Sequence, residues 1–122
     1  MNYRTVDRGE YTFIEVLAGP ERLSSEQDAL DLVGACGEAG TDRLLIHKEA
    51  LSDDFYNLRS GLAGAVLLKL SIYRIITAAV ISPEIATQGR FGEMVLETNR
   101  RSSTFRVFST PDEAEAWLAG KK

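Results

Sequence analysis

The chain has one cysteine, Cys36, and one histidine, His47. A lone cysteine excludes an internal disulfide and suits a reducing compartment. Cys36 falls on the apolar side of an expected helix, where it reads as a small buried hydrophobe. A single histidine leaves no Cys/His spacing for zinc and no three-histidine metal site. It also makes a Ser–His–Asp triad with a spare base hard to build. No metal and no cofactor are therefore expected. Basic charge is scarce as well: 14 Lys and Arg stand against 18 Asp and Glu, for a net charge of −4. Without a basic stripe, neither nucleic acid nor an anionic membrane is an expected partner, and Arg100–Arg101 with the two terminal lysines are too few to change that. No run is long enough to span a bilayer, and the opening MNYRTVDRGEY lacks the apolar core of a secretory signal, so the expected location is the cytoplasm. The composition is that of an ordinary soluble protein, and 122 residues suffice for one core, so residues 1–122 are read as a single domain.

What the chain does have is a long apolar stretch from Phe55 to Tyr73, FYNLRSGLAGAVLLKLSIY. Phe55, Leu58, Leu62, Val66, Leu70 and Tyr73 recur at helical spacing, and Leu67, Leu68 and Ile72 extend the apolar surface almost all round. Such a helix should be buried on more than one side. It is either continuous from Asp53, or a short turn to Leu58 followed by a main helix from about Ser60; Gly61 favours the second.

The other elements follow in order. Tyr3–Val6 and Tyr11–Leu17 read as strands around the turn Asp7-Arg8-Gly9-Glu10. Ser24 or Ser25 opens a helix with a capping-box pattern, its buried stripe at Ala29, Leu30, Val33 and Cys36, and Gly37 to Gly40 stops it. Leu44-Leu45-Ile46-His47 is a short buried strand of the parallel type. Ile75–Ile81 is another strand of central character. Ser82-Pro83 starts a helix that Gly89 and Gly92 break or bend and that Thr98-Asn99 ends. Thr104–Phe108 alternates as a last strand, and Ser109-Thr110-Pro111 opens the last helix. The order β-β-α-β-α-β-α-β-α predicts an α/β fold: a mixed, mostly parallel five-stranded sheet with about four helices.

This order resembles the STAS fold of bacterial anti-anti-sigma regulators, in particular its SpoIIAA-like branch, and FRVFSTPDEAEAWL is similar to the close of that branch. Through SSEQDALDLVGAC, FYNLRSGLAG and ETNRRSSTFRVF, the whole chain resembles a bacterial family called domain of unknown function 4180. The resemblance implies a STAS-like domain. In STAS regulators a serine before Gly-Leu accepts a phosphate from a partner kinase, which makes Ser60, in Ser60-Gly61-Leu62, the phosphorylation candidate. The preceding residue is Arg59 where those regulators usually carry an acid, and the gap back to His47 is longer than theirs.

Ligand sites of open parallel sheets lie at the carboxyl ends of the strands. His47 and Glu49 stand there, two residues apart and on one side if the strand continues, as candidate acid and base. The plain alternative for His47 is a strand-end ring bonded to a backbone carbonyl. Asp53, Phe55, Tyr56, Arg59, Ser60, Gly61 and Gly64 gather at the start of the central helix as candidates for binding a ligand or partner; close packing and helix capping are the competing explanations. Lys69 either meets a carboxylate such as Glu97 or reaches water along its stem. Asn99 joins the candidates from the polar end of its helix. Two functional readings result. The first is a non-enzymatic regulatory or protein-interaction module, a homodimer on account of its apolar helix, with a possible protein partner. The alternative is a small enzyme or small-molecule binder using a pocket near His47 and Glu49.

Overall fold

The computed structural model describes residues 1–121. Strands β1 (Asn2–Asp7) and β2 (Thr12–Leu17) form an antiparallel hairpin, with Gly9 at a φ of 88° in its turn. Strands β3 (Arg43–His47), β4 (Ile76–Val80) and β5 (Phe105–Phe108) follow β2 in parallel, so the sheet order is β1-β2-β3-β4-β5. The mixed, mostly parallel five-stranded sheet is thus the one the strand–helix alternation predicts.

Among the described residues helices number six rather than about four, and two short 3-10 turns accompany them. The long ones are α1 (Glu26–Ala39), α3 (Leu62–Ile72), α5 (Gly89–Arg101) and α6 (Pro111–Ala119), with single-turn helices α2 (Asp53–Tyr56) and α4 (Pro83–Ala86) between them. Helix α2 ends at Asn57, where the backbone is extended, and two glycines with left-handed backbone, which only glycine adopts at little cost, mark the further breaks. Gly61, at φ 76°, separates the turn Leu58–Ser60 from α3, and Gly89, at φ 52°, separates α4 from α5. Helix α1 is capped as its sequence directs: Ser25 accepts from the Asp28 amide, Asp28 accepts from the Ser24 amide, and Gly40 closes the far end at φ 68°.

Alternation along the strands divides the core. Ile14, Val16, Leu44, Ile46, Ala79, Phe105 and Val107 meet Leu32 and Cys36 of α1, Phe55 of α2, Val66 and Leu70 of α3, and Phe91 and Val95 of α5. On the opposite face Phe13, Leu45 and Ala78 meet Ala114 and Leu118 of α6, with Trp117 packed beside them. One short helix covers part of that face, which leaves the outer half of the hairpin open.

One expectation is corrected. Helix α5 continues past Thr98-Asn99 to Arg101, because the Asn99 side chain is engaged elsewhere, as described below. Helix α3 is buried on more than one side, as its apolar surface implies: Ala63, Val66 and Leu70 are buried, whereas Leu68 is 61% exposed and Ile72 60%. The sheet and α1 occupy two sides of α3, and no element covers the third.

Candidate functional site

At the carboxyl end of β3 the chain turns at once into a 3-10 turn, Lys48–Ala50. The turn breaks the extended geometry that would have put His47 and Glu49 on one side; Glu49 is exposed and does not pair with His47. The partner of His47 is Glu15 on the neighbouring strand, with Nε2 and Oε2 2.7 Å apart. Arg4 on β1 reaches the other oxygen of the same carboxylate, its Nη2 2.7 Å and its Nε 2.8 Å from Oε1. The three side chains form a row across β1, β2 and β3 on the face that α6 half covers. His47 and Glu15 are largely buried, at 17% and 13% side-chain exposure. Burial works to raise the Glu15 pKa, but hydrogen bonds from His47 and Arg4 outweigh it and hold the carboxyl below its ordinary value. An ionised Glu15 can only accept, so the shared proton sits on His47 Nε2.

The loop between β3 and α3 is pinned by a bridge to Leu23: the Leu23 amide donates to Ala50 O at 2.8 Å and the Ser52 amide to Leu23 O at 3.1 Å. Past this pin, Asp53 stands in solvent with Arg22 at 3.7 Å. Phe55 is buried edge-on against Tyr56 and Phe91, so it serves the core and is closed to a ligand. Tyr56 packs on Phe91 with ring centres 5.1 Å apart, and its hydroxyl donates to Lys48 O. Burial, and then Glu49, push that phenol well above its ordinary pKa, so it acts as a donor. Ser60 is exposed; its hydroxyl donates to Asp54 O at 2.6 Å and accepts from the Leu62 amide at 3.2 Å, which fastens the start of α3.

Gly64 faces open space, with no atom within 4 Å of where a Cβ would stand. In line with it along α3 lie Leu68 and Ile72; Tyr73, the residue that ends the helix, is 51% exposed but projects from a different side. Lys69 pairs with Glu26 of α1 at 3.3 Å rather than with Glu97, which pairs with Arg101 at 3.1 Å.

Asn99 has a structural task. Its Oδ1 accepts from the Val107 amide at 2.9 Å, and its Nδ2 donates to Val107 O at 3.2 Å. It thereby takes the place of a neighbouring strand on the outer edge of β5. Cys36 lies in the core, where burial and then Asp42 push its thiol up to about 12; it is not a nucleophile at neutral pH.

Sequence reasoning missed three things. One is Glu15, whose signal was a lone acid within the apolar strand TFIEVL. The second is Arg4, and the third is the approach of Gln88–Arg90 to Asn57–Arg59. Among the described residues no three His, Cys, Asp or Glu side chains gather as a metal ion would need. No helix there is long and apolar enough to cross a membrane.

The model of the family named domain of unknown function DUF4180 matches residues 8–118, and the chain belongs to that family. No curated protein and no solved structure matches it.

Proposed function

We propose that this DUF4180 member is a non-enzymatic interaction module, STAS-like in architecture, whose working surface is the open side of α3. The observation that carries the reading is the stripe Gly64, Leu68 and Ile72, where two large apolar side chains stand more than half exposed on one face of one helix. Contiguous exposed apolar side chains mark a contact surface more often than scattered ones do. The occupant we assign is a second copy of the chain. The stripe itself carries no charge, and the neighbouring Lys69 is already paired with Glu26, so the surface meets its own image across a two-fold axis without like-charge conflict. Gly64 allows the backbones to come close.

The sequential strand order, with α1, α3 and α5 packed on one face of the sheet, supports the STAS-like reading. The regulatory part rests on Ser60, exposed at the leading end of the same helix. A phosphate there would bring about two negative charges to the start of α3. The small-enzyme alternative has less in its favour: His47 pairs with Glu15, Glu49 stands apart, and the cleft between Tyr56–Arg59 and Gln88–Phe91 is lined by neither.

Sedimentation of the full chain tests the proposal. The wild type is expected to form a dimer by protein concentrations on the order of 100 μM. The exposed-site variant Leu68→Asp/Ile72→Asp is expected to be monomeric with an unchanged far-UV spectrum. A wild type that stays monomeric, or a double variant that still dimerises, overturns it.

A further inference from the structure

A cleft of about 420 Å³ opens between the segment Tyr56–Arg59 and the segment Gln88–Phe91. Its lining is one-sided in charge. Arg59 lines one wall and Arg90 the other, and no acid lines it, in a chain that carries more acids than bases. Neither guanidinium has an ion-pair partner among the described residues, although Arg4, Arg8, Arg22 and Arg101 all do. The remaining polar groups of the wall are chiefly donors. Gln88 makes no side-chain cap for α5, and the amides of Gly89, Arg90 and Phe91 find no acceptor among the described residues. Asn57 turns its oxygen to the Arg59 amide, at 3.2 Å, and so leaves its NH₂ free. Leu58 and the paired rings of Tyr56 and Phe91 supply an apolar floor.

We infer that this cleft binds a small organic oxyanion, a phosphate ester with an apolar or planar body, whose anionic end is held between Arg59 and Arg90. Two guanidiniums from separate segments suit a doubly charged group with several acceptor oxygens, and each contact is a charge-assisted hydrogen bond. The site is separate from the open side of α3, so it stands or falls independently of the proposed dimer.

The test is a titration of the full chain with inorganic phosphate, then with phenyl phosphate, at constant ionic strength, followed by amide NMR shifts. The expected result is a saturable response confined to Asn57–Arg59 and Gln88–Phe91, with phenyl phosphate binding more tightly than phosphate. Arg59→Gln/Arg90→Gln is expected to weaken binding at least about tenfold, as loss of two charged contacts requires. Both residues are exposed, so the double variant should keep its fold and its association state. Shifts that do not saturate, shifts spread over the surface, or equal binding by the double variant would each overturn the inference.

Discussion

Alanine at Gly92 and alanine at Gly64 should move stability in opposite directions. Both glycines lie in the first turn of a long helix, Gly64 third in α3 and Gly92 fourth in α5, and neither has a positive φ. Helix propensity therefore favours both substitutions alike, by about 0.8–1 kcal/mol. Their surroundings differ. A Cβ at Gly64 meets nothing within 4 Å, whereas at Gly92 it would stand 2.5 Å from the carbonyl carbon of Thr87 and 2.7 Å from its oxygen. Normal carbon contacts lie at about 3.5–4.0 Å. The obstructing atoms are main chain and cannot rotate away. They belong to the tight corner between α4 and α5, where Thr87 Oγ1 also donates to Pro83 O. Overpacking of this kind costs about 1–3 kcal/mol, and rigid neighbours place it in the upper part of that range. Propensity cancels in the difference between the two variants, which leaves the clash: Gly92→Ala should be about 2–3 kcal/mol less stable than Gly64→Ala. Urea unfolding followed by circular dichroism reads this directly, provided the denaturant slopes agree. If Gly92→Ala proves as stable as Gly64→Ala, the close approach of the two helices is not what requires a glycine there.

Two further outcomes follow from the sheet. Glu15 is pushed up by burial but pulled below 4.5 by the stronger combined effect of His47 and Arg4, so its ionised form contributes stability above pH 4.5 and loses that contribution as pH falls through the lowered value. Urea midpoints measured from about pH 6 down to about pH 3 should therefore fall less steeply for Glu15→Gln than for the wild type, and parallel curves would show that the row Arg4–Glu15–His47 is not coupled to folding. Asn99→Leu removes both bonds to Val107 and uncovers the edge of β5. It should cost about 1–3 kcal/mol and raise light scattering on storage, and a variant unchanged in both would deny Asn99 its edge-sealing role.

What could be read in advance was whatever depends on neighbours in sequence. Strand–helix alternation gave the mostly parallel sheet; Ser25 with Asp28 gave the start of α1; Gly61 gave the break before α3. Contacts between distant residues were not readable in the same way. His47 and Glu15 are 32 residues apart and meet only because β2 and β3 are adjacent. A strand continuing through Glu49 would make it the partner of His47, but the chain turns into 3-10 geometry at Lys48. Asn99 looked like a helix terminator because asparagine tolerates that role, yet its amide matches a peptide group and serves β5 instead. Lys69 chose Glu26 over Glu97 because α1, not α5, lies on its side of α3.

The central helix sets the strength of the proposed contact as well as its place. Its apolar character implied burial on more than one side, and the subunit closes its core with one side of α3 left wet. Fully burying a leucine or isoleucine side chain is worth about 1.5–3 kcal/mol, and Leu68 and Ile72 each keep about three-fifths of that in reserve. A symmetric pair would use the reserve of both copies, roughly 4–7 kcal/mol in all. Association costs about 4–15 kcal/mol in lost freedom before any contact is counted. The two residues alone therefore balance only the low end of that cost, and whatever the two-fold axis brings beside Gly64 must provide the rest and the surplus. The expected dimer is consequently a dissociable one, formed by folded subunits whose cores are already complete, and a charge arriving at Ser60 would need to remove only that surplus to separate them.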